Sequence, residues 1–208
     1  EERSGMLEIS AACRLCKLCV KKSNGAVEFA EDEAHEQIDK SKWQGIAVYI
    51  DHADGHVHPV SYELIGKARE LADKVRQKVY ALFMGSDIGY DAEELRHYGV
   101  DRIFVCDKKC LAEFNIEPYT KVFEYFIKEV NPAVILVGAT PVGRQLAPRV
   151  AARFRTGLTA DCTMLDIREN TDLVQIRPAF GGNIMAEILT PNNRPQMATV
   201  RYKIMEAP

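Results

Sequence analysis

The sequence predicts an α/β protein with three layers, in which helices flank a mostly parallel sheet. Between residues 45 and 154, short β-branched and apolar runs alternate with segments whose apolar residues recur at helical spacing. One of these runs, AVILVG (133–138), is unbroken and apolar, which is typical of a strand buried on both faces. Such an alternation implies parallel strands joined by right-handed crossovers.

The first predicted strand is GIAVYID (45–51), and the helix SYELIGKARELADKV (61–75) follows it with Ser61 as the expected N-cap. Gly99 and Asn131-Pro132 are expected to end two later helices. The remaining elements predicted in this part are the strands 78–85, 101–107 and 133–138 and the helices 91–98, 120–130 and 144–154.

After residue 154 the pattern changes to short strand-like runs separated by turn-forming residues. We expect one of these runs to join the parallel sheet and the others to form a few antiparallel strands at its C-terminal edge. The runs are TADCTMLDI, DLVQIRPAF, IMAEILT and QMATVRY.

The composition narrows the function classes. The 208 residues carry a net charge of −3 with a pI near 6.0, so no global basic field favours nucleic acid as a partner. Neither a membrane-spanning run nor a basic, apolar leader is present, and six cysteines are too few for a disulfide scaffold. We therefore expect a cytoplasmic protein without a membrane span.

Residues 1–42 are predicted to form a ferredoxin-like remnant with a linker, and residues 43–208 the main domain. Cys13, Cys16 and Cys19 form a C-x2-C-x2-C run, which is the start of the bacterial ferredoxin pattern for a [4Fe-4S] cluster. The fourth cysteine and the proline of that pattern are replaced by Ser23 and Asn24. A cluster completed by a ligand upstream, a degenerate remnant that binds nothing, and a zinc site all stay open.

Two glycine-bearing turns are candidate ligand sites. The turn 138–143 follows a buried strand and precedes a helix, where open α/β folds bind nucleotide phosphates; a purely structural turn is the alternative. Arg177 precedes Phe180, Gly181 and Gly182, and a planar cation beside exposed amides suits an anionic or electron-rich ring. A hairpin turn with a surface arginine is the simpler interpretation of this second segment.

The loop from His52 to His58 also contains Asp54 and His56, an alternation that could bind zinc or copper. A solvated loop explains the same residues. Cys106, Cys110 and Cys162 have no partner at motif spacing and are interpreted as structural thiols.

Residues 43–205 resemble the alpha subunit of electron-transfer flavoproteins. The resemblance is carried by HPVSYELIGKARELAD (58–73), LVGATPVGRQLAPRVAARFRTGLTADCTMLDI (136–167) and RPAFGGNIMAEILTPNNRPQMATVR (177–201). It implies the N-terminal domain of that subunit, which packs against a beta subunit, with the C-terminal FAD domain absent from this sequence.

The cysteine run is similar to that of the bifurcating, clostridial-type subgroup. There the beta subunit's FAD takes hydride from NADH and sends one electron to ferredoxin and one to a dehydrogenase of acyl-CoA, enoyl-CoA or lactate type. The resemblance implies that Arg177, Phe180, Gly181 and Gly182 lie beside this flavin, and that the chain is an electron carrier subunit of a heterodimer. A regulatory domain that binds AMP or ATP at 138–143 and an iron–sulfur carrier fused to an interaction domain are the alternatives.

Overall fold

The computed structural model describes residues 2–3, 6–7, 16–28, 38–53 and 56–208. The chain divides into two compact units, residues 1–36 and residues 37–208. In the first unit two short strands, Glu2–Arg3 and Met6–Leu7, pair antiparallel, and Leu18–Lys22 forms a short helix. In the second unit a single 3₁₀ turn, Lys40–Lys42, precedes the sheet.

The second unit contains two main sheets. Their strands are β1 (Ile46–Ile50), β2 (Val79–Gly85), β3 (Arg102–Asp107), β4 (Val134–Gly138), β5 (Leu158–Cys162), β6 (Met164–Ile167), β7 (Leu173–Ala179), β8 (Ile184–Ile188) and β9 (Gln196–Val200). Six of them form a fully parallel sheet in the order β3-β2-β1-β4-β9-β5. The other three form a separate antiparallel sheet in the order β6-β7-β8.

Four α-helices connect these strands: α1 (Pro59–Val75), α2 (Gly89–Glu94), α3 (Ile116–Val130) and α4 (Pro141–Arg153). Shorter elements complete the unit: the strands His52–Ala53 and His56–Val57 and the 3₁₀ turns Leu95–Tyr98, Lys109–Leu111 and Phe180–Gly182. The three-layer α/β architecture predicted from the sequence is therefore confirmed.

Two hydrophobic cores lie on opposite faces of the parallel sheet, because successive side chains of a strand alternate in direction. Ile46, Val48 and Ile50 pack with α1, α2 and the inner side of the antiparallel sheet. Ala47 and Tyr49 pack with α3 and α4 on the other face. All five residues are buried, which agrees with a central parallel strand.

Two expectations are corrected. Two strands, β5 and β9, join the parallel sheet after residue 154 instead of one, because β9 returns between β4 and β5 after the antiparallel excursion. The N-cap of α1 is His58, whose ring Nδ1 accepts a hydrogen bond from the amide of Val60 at 3.2 Å. The Ser61 hydroxyl instead accepts the amide hydrogen of Asp51 and donates to the Asp51 carbonyl oxygen.

The segment after β9 is held along α1. The Glu63 carboxylate accepts hydrogen bonds from the amides of Lys203 and Met205, at 3.2 and 3.4 Å. A Cβ at Gly66 would lie 2.8 Å from the carbonyl oxygen of Glu206, so this close approach needs the glycine. The sequence pattern of 202–208 contains no sign of this contact.

Candidate functional site

The candidate site lies at the tip of the hairpin formed by β7 and β8. Arg177 pairs with Ala186 across this hairpin and is half-buried. Phe180, Gly181 and Gly182 form the 3₁₀ turn that closes it, all with positive φ angles of 47°, 72° and 94°. The structure thus places Phe180, Gly181 and Gly182 in the turn and Arg177 on the strand that leads into it.

The Arg177 guanidinium has no hydrogen-bond or ion-pair partner among the residues that the structure describes. It lies close to the end of β5, because the amide of Thr163 donates to the carbonyl oxygen of Ile176 at 2.9 Å. Burial raises the pKa of the neighbouring Cys162 thiol to about 12, and the Arg177 charge opposes this rise. A half-buried cation with no counter-charge among the described side chains is available to an external anion.

The tip of the hairpin is apolar and open. Phe180 is 83% exposed, and Ile184 and Met185 at the start of β8 are 55% and 50% exposed. A Cβ placed on Gly181 or Gly182 would meet no atom within 4 Å, so the space in front of this turn is free. Exposed apolar side chains grouped around an arginine are typical of a surface that another protein covers.

A second group of charges surrounds Asp161, near the carboxyl ends of β4, β5 and β9. Its carboxylate pairs with Arg144 at 3.0 Å and with Arg201 at 3.9 Å. Arg144 also donates from Nε to the carbonyl oxygen of Ala139 at 2.9 Å. The sequence analysis missed these three residues, because only the parallel pairing of β5 with β9 brings them together.

The other half of this sheet edge is acidic. Asp51, Asp87, Asp91 and Glu113 line one cavity at the ends of β1 and β2. Burial, together with the nearby Asp51 carboxylate, raises the pKa of Tyr49 in the same cavity. Repulsion by these carboxylates disfavours a nucleotide phosphate here.

The turn 138–143 serves as a structural cap. The Thr140 hydroxyl donates to the buried Asp51 carboxylate and accepts the amide hydrogen of Gly143 at 3.0 Å, which caps α4. A Cβ on Gly143 would lie 1.9 Å from the carbonyl oxygen of Gly138, so this glycine allows α4 to pack on the strand. Its capping amide is already bonded, and this arrangement favours the structural interpretation of the turn.

The predicted metal ligands are only partly described. Cys16 and Cys19 are free and exposed, whereas Cys13 lies outside the described residues. Within the described ranges, no group of three or more His, Cys, Asp or Glu side chains is placed to hold a metal ion.

In the histidine loop, the ring Nε2 of His52 lies 2.7 Å from the carbonyl oxygen of Met84, and His58 caps α1. Asp54 lies outside the described part.

Of the remaining cysteines, Cys162 is buried, Cys106 is half-buried and Cys110 is exposed. No helix in the described part of the chain is long and apolar enough to cross a bilayer.

A six-stranded parallel sheet flanked by helices, with a small three-stranded antiparallel sheet beside it, matches the fold of the electron-transfer flavoprotein class. The family model "Electron transfer flavoprotein domain" matches residues 46–208, and the chain belongs to this family.

Among its relatives, it is 61% identical to the lactate dehydrogenase (NAD(+),ferredoxin) subunit LctC of Acetobacterium woodii, over 97% of this chain and 48% of that protein. It is 45% identical to the electron transfer flavoprotein subunit alpha of Megasphaera elsdenii, over 82% of this chain and 51% of that protein. The acryloyl-CoA reductase electron transfer subunit beta of Anaerotignum propionicum is 38% identical, over 83% of this chain and 53% of that protein.

The chain thus spans about half the length of these curated relatives. The extent of the matches also differs among them. The match to LctC reaches into the cysteine-bearing N-terminal unit, because it covers 97% of the chain, whereas the family model starts at residue 46.

Proposed function

We propose that this chain is the alpha-subunit part of a heterodimeric, cytoplasmic electron-transfer flavoprotein, and that its beta subunit covers the tip of the β7–β8 hairpin. The observation that carries the proposal is the Arg177 guanidinium, which has no partner among the described residues, on the strand that leads to the exposed Phe180 and the open Gly181-Gly182 turn. The relatives named as electron transfer flavoprotein subunits support the same assignment.

The residues at this tip fit an FAD held by the beta subunit. A flavin supplies reversible one- and two-electron chemistry, and its ring gains negative charge on reduction. Arg177 would stabilise that charge, since it has no counter-ion among the described side chains. Phe180 would exclude water from one edge of the ring, while the two glycines allow the close approach of a flat group.

We infer that the electrons enter from NADH and divide between two acceptors. A hydride carries two electrons and a proton; one electron would pass to ferredoxin and the other, through a second FAD in the remainder of the alpha subunit, to a dehydrogenase. Two such cycles supply the two electrons that reduction of one organic substrate needs. The ferredoxin named in the LctC relative supports this division, which is electron bifurcation.

The dehydrogenase would be of the acyl-CoA, enoyl-CoA or lactate type. The 61% identity to the LctC relative favours the lactate type.

Cys13, Cys16 and Cys19 would supply three thiolates to a [4Fe-4S] cluster in the N-terminal unit. Iron and sulfide analysis of the full-length chain, isolated without oxygen, tests this part: about four iron atoms per chain support the cluster, and an iron-free, correctly folded protein contradicts it.

The subunit interface is tested by native mass spectrometry of the full-length chain with its beta subunit. Phe180→Asp places a charge in the proposed contact, so we expect the affinity to fall by at least about tenfold. Tyr125→Asp is the matched control, because Tyr125 on α3 is 68% exposed and lies outside the hairpin. Unchanged binding by Phe180→Asp, or equal loss in both variants, contradicts the proposed interface.

A further inference from the structure

Asp161 forms ion pairs with two arginines on different elements. Its carboxylate lies 3.0 Å from Arg144 at the start of α4 and 3.9 Å from Arg201 just after β9. Its amide donates to the Thr199 hydroxyl at 3.0 Å, which holds the backbone in place. The Asp161 side chain is 18% exposed, whereas those of Arg144 and Arg201 are 53% and 48% exposed. The Asp161 carboxylate is therefore the most buried charge of this group.

Arg177 approaches the same place from the antiparallel sheet. The amide of Arg201 donates to the carbonyl oxygen of Cys162 at 3.3 Å, and the amide of the next residue, Thr163, donates to the carbonyl of Ile176. Cys162 thus lies between the backbones that carry Arg201 and Arg177. Of the two charges that act on its thiol, Arg177 lowers its pKa and Asp161 raises it. The two side chains therefore act with opposite sign on one buried position.

The charges of this region do not balance. Arg144, Arg177 and Arg201 carry three positive charges, and the Asp161 carboxylate is the one negative charge paired with any of them in the described structure. Partial burial weakens the screening of Asp161 by water. The electrostatic potential at an anion beside Arg177 would therefore include the positive contribution of the arginines and the negative contribution of the Asp161 carboxylate.

We propose that Asp161 is a positioning residue that limits the positive potential which Arg177 and Arg201 present to the flavin of the partner subunit. The inference rests on the proposed function, because it needs the flavin beside Arg177. In this role Asp161 holds Arg144 and Arg201 in fixed directions and offsets part of their charge. It sets how strongly the reduced, negatively charged ring is favoured without contacting the ring.

The test uses the full-length chain in complex with its FAD-loaded beta subunit. In an anaerobic reductive titration, the beta-subunit flavin gains two electrons and one proton. Its reduced ring then carries a single negative charge. Asp161→Asn removes one opposing charge, so the reduced form should be favoured by about threefold, as expected for one partly screened charge. Asparagine suits this position because Asp161 has φ of 60° and asparagine readily adopts that conformation.

Three further variants make the result specific. Arg177→Ala and Arg201→Gln should both disfavour the reduced form, which is the opposite direction. Asp166→Asn is the matched control, since it removes the same charge from an exposed pair with Lys74, and we expect no measurable shift. Circular dichroism spectra of all four variants should match that of the unchanged protein.

The outcomes separate the two proposals. If Arg177→Ala shifts the titration but Asp161→Asn leaves it unchanged, or moves it in the same direction, the role of Asp161 is wrong and the proposed flavin contact stands. If Arg177→Ala also has no effect, the flavin contact itself is wrong and the inference falls with it. A shift as large in Asp166→Asn as in Asp161→Asn also overturns the inference, because net charge alone would then explain it.

Discussion

Two arginines in different parts of the domain illustrate two uses of one side chain. Arg194, just before β9, is fully buried and pairs with Asp172 at 2.7 Å, and Lys40 bonds the same carboxylate at 2.8 Å. Arg177 on β7 is half-buried, and its guanidinium has no hydrogen-bond or ion-pair partner in the described part of the chain. The neutralised Arg194 serves stability, whereas Arg177, without a partner among the described residues, is the cation that we propose binds an external anion.

The electrostatics of Asp172 agree with this contrast. Burial by itself would raise its pKa, but the hydrogen bonds and charges of Lys40 and Arg194 outweigh burial and hold the pKa below the ordinary value. Asn170 adds a further hydrogen bond to the same carboxylate at 2.8 Å. This cluster therefore behaves as a structural centre that requires its charged form.

The largest effect is expected from Asp172→Ala. Removal of the carboxylate leaves the buried Arg194 charge uncompensated, so the free energy of unfolding should fall by about 3–5 kcal/mol. Urea unfolding followed by circular dichroism measures it. Asp166→Ala, which breaks the exposed pair with Lys74, should cost about 1 kcal/mol or less. An equal loss of unfolding free energy in Asp172→Ala and Asp166→Ala would contradict the claim that the buried ion pair contributes more to stability than the exposed one.

The next effect concerns pH. Because the pKa of Asp172 is lower in the folded state than in the unfolded chain, its contribution is complete above about pH 5 and is lost as pH falls through the folded-state pKa. The difference in unfolding free energy between the unchanged protein and Asp172→Asn should therefore shrink progressively as pH falls from about 4 through the folded-state pKa. Urea unfolding at a series of pH values measures this; a constant difference between the two proteins would contradict it.

A smaller loss is expected at the cap of α4, in the acidic half of the sheet edge. Thr140→Ala removes the hydroxyl that accepts the amide hydrogen of Gly143, so stability should fall by about 1–2 kcal/mol. Thr140→Ser keeps the hydroxyl and serves as the control in the same unfolding measurement. If Thr140→Ala and Thr140→Ser have the same unfolding free energy, the capping hydrogen bond does not explain the contribution of Thr140 to stability.

The smallest effect on stability is expected from Arg177→Ala. Because no hydrogen bond or ion pair of the Arg177 guanidinium is present among the described residues, the unfolding free energy should change by about 0.5 kcal/mol or less. Thermal and urea unfolding of the isolated chain check this expectation. A loss of several kcal/mol would show that Arg177 is a structural residue like Arg194.

Sequence reasoning found the strands and helices because their apolar periodicity is local. It assigned only one late strand to the parallel sheet, because the return of β9 between β4 and β5 depends on long-range pairing. It singled out Arg177, Phe180, Gly181 and Gly182, which are neighbours in the sequence. It missed Arg144, Asp161 and Arg201, which lie on three separate segments.

The acidic half of the sheet edge also required the structure. The motif 138–143 alone allowed a phosphate site, but its meaning changes once Asp51, from the end of a different strand, is bonded to Thr140. The carboxylate and the turn are 89 residues apart in the chain. Whether such a turn can bind a phosphate depends on which side chains from other strands lie next to it.

The most direct test of the account is reductive titration of the beta-subunit flavin in the full-length complex, with Arg177→Ala compared with the unchanged protein. If the unpartnered guanidinium lies beside this flavin, its loss should disfavour the reduced, anionic ring by about tenfold or more. A titration identical to that of the unchanged protein, in a complex that still assembles, would contradict the central claim.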